Sequence, residues 1–201
     1  MRSGTSLVSS IVHVLGVCMG ERWITEDPEW CRDGFWCDDE FHELFVEVLG
    51  GYPGHFTVDT FNRDALPKLK DQVAKREGTY VRWGVKSHLL SFVWPHWWPL
   101  CSHEIRAIFP CRPPAESIAS LAARTGHTEE WAADYLQPFF ASVAEAKRFH
   151  GEKLFVDYDT LLADPVAEVG RIAEFLGVSV TQYAIARVKP ELRRFNQRLH
   201  I

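Results

Sequence analysis

The chain has 201 residues and a formal net charge of −5, with a sequence pI near 6.0. That length suits one α/β domain over residues 1–201, and an acidic balance without any Lys/Arg-rich run argues against a nucleic-acid partner. No apolar stretch reaches the ~20 residues of a membrane span and the first residues are not a signal peptide; the five cysteines (Cys18, Cys31, Cys37, Cys101, Cys111), without repeated spacing, read as reduced thiols of a cytoplasmic protein.

Residues 7–15 (LVSSIVHVL) are apolar almost all round, which predicts a helix buried between layers and stopped at Gly16. Residues 17–37 are polar, aromatic and turn-rich and read as loop. Residues 38–49 predict a helix with acids in its first turn, ended by Gly50 and Gly51. A loop with Pro53 and Gly54 follows, then a helix over 64–77 stopped at Gly78. Residues 80–86 (YVRWGVK) read as a strand. The aromatic run 87–100 carries two prolines and no clean period, so no element is assigned there. Residues 104–109 read as a second strand, and Pro114 opens a helix to about residue 124. A long helix is expected over 128–150, where Trp131, Tyr135, Phe139 and Val143 recur every fourth residue and Pro138 predicts a kink or break. Residues 153–157 form a third expected strand. Asp164 and Pro165 then start a helix closed by Gly177, and the last twenty residues are basic and partly helical. Strands alternating with helices predict a three-layer α/β fold, a mostly parallel central sheet flanked by helices, with ligands beyond the carboxyl ends of the strands.

Three short segments carry candidate chemistry. The first is Arg2-Ser3-Gly4-Thr5-Ser6, running straight into the 7–15 helix. Small residues at a helix N-terminus present backbone N–H groups and hydroxyls to an anion. The loop lacks the spacing and the Lys-Ser/Thr ending of a nucleoside-triphosphate loop, so it suits an anion held without metal. The second segment contains Arg112, just after a hydrophobic strand, with Pro114, Glu116 and Ser120 following; a guanidinium suits bidentate grip of a phosphate. The third is Lys86-Ser87-His88-Leu89. His88 has the chemistry of a general base, and Lys86 and Arg2 can stabilise charge on a leaving oxygen. A rival base is Asp38, which reads more simply as an acid opening its helix. His96, Cys101 and His103 match no standard metal spacing, so no metal site is expected. Trp94, Trp97 and Trp98 either line an acceptor site or fill a core.

These segments resemble those of the PAPS-dependent sulfotransferases. That family holds the 5′-phosphosulfate of 3′-phosphoadenosine 5′-phosphosulfate (PAPS) on a Lys/Arg-Ser-Gly-Thr-Thr/Ser loop, and the 3′-phosphate on an Arg with a Ser eight residues later. The resemblance implies cofactor contacts from Arg2, Ser3, Gly4, Thr5, Ser6, Arg112 and Ser120, and catalytic roles for His88, Lys86 and Arg2. It implies transfer of a sulfuryl group from PAPS to a hydroxyl of a small molecule or carbohydrate, with PAP as product and no metal. Val156 to Leu161 and Phe175-Leu176-Gly177 match structural landmarks of the family. The Arg-Lys-Gly loop that closes over the nucleotide in cytosolic members is absent, and Lys189, Arg193 and Arg194 are the available substitutes. Met1 directly precedes Arg2, so the sheet as written lacks its first strand; the expectation is a strand upstream of Met1. The competing readings are a P-loop kinase-like phosphotransferase and a truncated, non-catalytic nucleotide-binding domain.

Overall fold

The computed structural model describes residues 4–22, 36–51 and 61–189. The expected strand upstream of Met1, the turn at Pro53-Gly54 and the basic C-terminal segment lie outside the described residues, as do Arg2, Ser3, Arg193 and Arg194. The described part is mostly helical, with one small parallel sheet of two strands. By its internal packing the chain forms two compact units, one comprising residues 1–16, 108–136 and 153–201, the other 17–107 and 137–152.

In the first unit, α1 (Thr5–Val14) follows Gly4, and residues 8 to 12 are all buried. Five consecutive buried positions cover more than one turn, so the helix is enclosed on several faces, as its all-round apolarity predicts. It packs on α8 (Pro165–Leu176) and α9 (Gln182–Ala186), and α7 (Tyr158–Ala163) packs on α8. Ile11, Leu161, Val169, Ile172 and Ala184 are fully buried there. α8 begins as expected: the Asp164 carboxylate accepts from the Ala167 N–H at 3.1 Å. It ends at Gly177, in the left-handed region at φ 66°, where the Val178 N–H reaches back to the Ala173 carbonyl at 3.0 Å. α5 (Pro114–Thr125) starts on its N-terminal proline and also stops at a left-handed glycine, Gly126.

The second unit is built on three helices: α2 (Asp39–Val48), α3 (Leu66–Thr79) and α4 (Leu90–Trp97), each packed on the other two. Phe41, Phe45 and Val48 on α2, Leu69 and Val73 on α3, and Leu89, Val93 and Trp97 at α4 form one cluster. Full burial of each such side chain is worth about 1.5–3 kcal/mol. α4 falls in the aromatic run where no element was expected. Its register is the fourfold spacing Leu89, Val93, Trp97, masked in the sequence by aromatics on every face and by Pro95.

β1 (Arg106–Cys111) and β2 (Glu152–Asp157) pair in parallel. β1 lies two residues later than the sequence suggests and runs through Pro110; among the described residues it pairs with β2 alone, and a strand tolerates a residue without an N–H on a side that is not bonded. The strand expected over 80–86 is not a strand. Its segment makes one isolated parallel bridge, Trp83 with Cys18, through Cys18 N–H to Arg82 O at 3.0 Å and Gly84 N–H to Cys18 O at 2.9 Å. Period-two apolarity there seats the half-buried Trp83 against Phe41 and Trp97 without recruiting a ladder. The helix expected over 128–150 is α6 (Glu129–Ala146), which runs unbroken through Pro138. Pro138 and Asp134 are both exposed, so water can serve the Asp134 carbonyl that Pro138 cannot. Beyond Ala146 the backbone tightens to shorter turns, Arg148 N–H to Glu145 O and Phe149 N–H to Ala146 O, and the helix ends.

Candidate functional site

Two groups of the expected site residues are described, one in each unit. In the first unit the parallel pairing of β1 and β2 decides the arrangement. β1 ends at Cys111 and β2 at Asp157, so Arg112 and Tyr158 each follow directly at the carboxyl end of neighbouring parallel strands. The Arg112 guanidinium lies over the Tyr158 ring at 5.1 Å from its centroid. The Arg112 side chain is only 7% exposed, and its Nε–H donates to Glu116 Oε2 at 2.8 Å. Glu116 and Ser120 lie one turn apart on α5, four residues being about one turn.

The same ring meets the loop. Gly4 has φ 82°, in the left-handed region. A Cβ placed there would overlap Tyr158 Cδ2 and sit 2.9 Å from Cε2. Gly4 is therefore required twice, by its backbone and by the ring beside it. Among the described residues no side chain caps α1, whose N-terminal end carries the positive pole of the helix. Thr5 and Ser6 form its first turn. The structure thus brings both Gly4 and Arg112 against one aromatic side chain. A helix N-terminus and a held guanidinium at the ends of parallel strands have the chemistry to receive anionic groups. Lys189, offered as a substitute cation, follows α9 and is half-buried.

In the second unit Lys86 and His88 lie in the turn that opens α4, not at a strand end. Ser87 Oγ accepts from the Leu89 N–H at 3.1 Å. The His88 ring sits 5.4 Å from that of His42 and 6.1 Å from that of Phe139. Burial, with His42 and Lys86 adding to it, pushes the His88 imidazole down to about 3. Burial also lowers His42. Both are neutral near pH 7, the form that accepts a proton. The Lys86 carbonyl accepts from the buried Cys37 thiol at 3.1 Å.

Asp38, the rival base, is structural. It is the N-cap of α2, its Oδ1 accepting from the Glu40 N–H at 3.0 Å and its Oδ2 from Arg76 Nη2 at 2.6 Å. Both side chains are almost wholly buried, 1% and 2% exposed. Burial pushes the Asp38 carboxyl up, against the pull of Arg76 and the helix amides. Arg76 also binds Glu40 Oε2 at 3.0 Å, and Glu21 accepts from the Tyr80 hydroxyl beside it. With its carboxylate committed on both oxygens and closed from solvent, Asp38 is not placed to take a proton from an acceptor.

His96, Cys101 and His103 are apart in function. The His96 ring lies tilted against Phe61 with centroids 4.1 Å apart, Cys101 Sγ leans on the Trp97 carbonyl, and His103 Nδ1 bonds Ser102 Oγ at 2.8 Å. Among the described residues no group of three His, Cys, Asp or Glu side chains could hold a metal ion. Trp97 is core, while Trp98 is exposed at the surface. Sequence reasoning missed Arg76 and the part played by Tyr158. Arg76 had a signal: it continues the apolar stripe of Leu69 and Val73, a position where a cation is buried and must be paired. Tyr158 is legible only once β1 and β2 are known to be neighbours.

No protein-family model matches this chain, and neither the curated proteins nor the solved structures contain a significant match to it.

Proposed function

We propose that the chain is a sulfotransferase that transfers a sulfuryl group from PAPS to a hydroxyl of a small molecule or carbohydrate. The observation that carries this reading is the gathering of Gly4, at the start of α1, and Arg112 on the Tyr158 ring at the carboxyl edge of the parallel strands. A ligand with two separated anionic groups fits such a pair. The close approach of Gly4 to the ring leaves the loop backbone to the ligand rather than to a side chain, which suits phosphate-type recognition.

In this reading Arg2, Ser3, Gly4, Thr5 and Ser6 hold the 5′ anionic end, and Arg112 with Ser120 holds the 3′-phosphate. Arg193 and Arg194 add charge around the nucleotide. PAPS supplies an activated sulfuryl group. His88 accepts the proton of the attacking hydroxyl, and Lys86 and Arg2 stabilise the charge left on the departing phosphate oxygen. The reading carries a larger fold with it, a three-layer sulfotransferase-type domain in which β1 and β2 belong to a wider parallel sheet, and a cytoplasmic setting.

A second reading, a nucleotide-binding domain without turnover, draws on one observation. Burial takes His88 down to about 3, and so weak a base removes a proton poorly near pH 7. The test is incubation with sulfur-labelled PAPS and an acceptor panel in excess EDTA, alongside calorimetric titration with PAP. Labelled acceptor formed under EDTA is the expected result. PAP binding without transfer supports the second reading. Turnover that needs magnesium and a nucleoside triphosphate points to a kinase, and the sulfotransferase reading then fails.

A further inference from the structure

We infer that Tyr158 is a positioning residue that ties the Gly4 loop to Arg112, so that the two anionic ends of a bound nucleotide are gripped as one unit. This rests on the sulfotransferase reading and adds a role for a residue which that reading treats as a structural landmark.

Three observations in the first unit meet at this side chain. Tyr158 is the first residue of α7 and directly follows β2, so its backbone is fixed by a strand on one side and a helix on the other. The strand end is anchored further: the Asp157 carboxylate caps α7 by accepting from the Thr160 N–H at 2.8 Å. The ring is then held against the Gly4 backbone so closely that no Cβ fits between them. The same ring carries the Arg112 guanidinium over its face, and the Arg112 Nε–H donates to Glu116. Glu116 holds one edge of the guanidinium, at Nε, and the ring holds its carbon centre at 5.1 Å from the centroid. Two constraints of different kind on one planar cation leave it little rotational freedom, which is what a preorganised phosphate grip requires.

The geometry assigns the work to the aromatic face. A cation over a ring is attracted by the ring quadrupole, and neither the hydroxyl nor mere volume replaces that face. Phe keeps the face; Leu and Met fill space without it.

The experiment compares PAP with 5′-AMP, which lacks the 3′-phosphate, by calorimetry on the full chain. The wild type, Tyr158→Phe, Tyr158→Leu, Tyr158→Met, Arg112→Ala and the doubles of Tyr158→Leu and Tyr158→Met with Arg112→Ala are measured, each checked for folding by circular dichroism. The readout is the ratio of PAP to AMP affinity, which a general loss of stability does not move. Tyr158→Phe is expected to keep the wild-type ratio. Tyr158→Leu and Tyr158→Met are expected to lower it about 3- to 30-fold, the usual range of a partly desolvated cation–π contact, and to add little when combined with Arg112→Ala. The use of two non-aromatic variants covers the case in which one fails to fold. A wild-type ratio retained in either folded non-aromatic variant overturns the role of Tyr158 and leaves the sulfotransferase reading standing. Loss of the ratio in Tyr158→Phe transfers the role to the hydroxyl and overturns it too. A wild-type chain that does not prefer PAP to AMP overturns the sulfotransferase reading itself, and this inference with it.

Discussion

Arg112 and Arg76 are both buried arginines, and their surroundings separate them. Arg112 meets Glu116 and the Tyr158 ring at a strand end, whereas Arg76 meets the carboxylates of Asp38, Glu40 and Glu21 inside the second unit. An arginine so outnumbered by carboxylates has no capacity for an anionic ligand; its role is to neutralise the α2 cap. Arg76→Met is expected to cost about 3–5 kcal/mol of stability, because it leaves the Asp38 carboxylate buried and unpaired. The double variant Asp38→Asn with Arg76→Met should recover most of that loss, since Asn still caps the helix. Urea denaturation of the three proteins checks this; a double variant no better than the single would show that the pair is not what matters. Arg112→Ala, by contrast, should weaken PAP binding by about 2–4 kcal/mol. Ser120→Ala should cost about 1 kcal/mol, the usual worth of one hydroxyl contact. An Arg112→Ala variant with unchanged PAP affinity by calorimetry would remove Arg112 from the nucleotide site.

At the scale of elements, α1 shows how a local requirement and a distant contact can coincide. Its sequence calls for a buried helix, and the glycine before it is legible as a helix entry. That this glycine also abuts a ring some 150 residues downstream is decided by the docking of α1 on α8 and α9. Gly4→Ala carries two penalties. The left-handed backbone costs an L-residue about 1–2 kcal/mol, and the new methyl group must displace Tyr158. The expected outcome is a melting temperature lowered by several degrees together with PAP affinity reduced about tenfold or more, if each kilocalorie is felt at the loop. Thermal melts and calorimetry on the same sample check both. A variant that melts lower yet binds PAP as before would show that the ring does not press on the binding loop.

For the whole molecule, the buried histidines tie stability to pH. His88 and His42 both have imidazoles pushed below the ordinary value by burial. In the unfolded chain they titrate near 6.5. Between about pH 6.5 and pH 3 the unfolded chain therefore binds more protons than the folded one, and stability falls as pH falls through that window. The contribution of His88 is fully present above pH 6.5. Its loss by pH 5 is on the order of 1–2 kcal/mol. The measurement is the denaturation midpoint from pH 7.5 to pH 5. His88→Phe should flatten the curve, and a variant with the wild-type slope would place the pH sensitivity elsewhere.

What the sequence determined by itself was whatever depends on neighbours within a turn or two. The cap at Asp164, the glycine stops at Gly16, Gly50 and Gly177, and the apolar register of α8 are local and were all legible. The loop, Arg112 and His88 stood out in the sequence as residue types in a spacing, which is also a local property. Tertiary structure decided what depends on pairing across the chain. Period-two apolarity at 80–86 looks the same whether a ladder forms or Trp83 merely seats against Phe41, and only the presence of a strand beside it makes the difference. α4 was hidden because its buried stripe is outnumbered by aromatics on its other faces. Asp38 passed from candidate base to buried cap when Arg76 closed over it, a contact 38 residues away in sequence. Tyr158 meets both Gly4 and Arg112 because two parallel strands end side by side. Local propensity carries no information on which strands are neighbours; that is set by the burial of helix and strand faces against each other, a property of the folded chain alone.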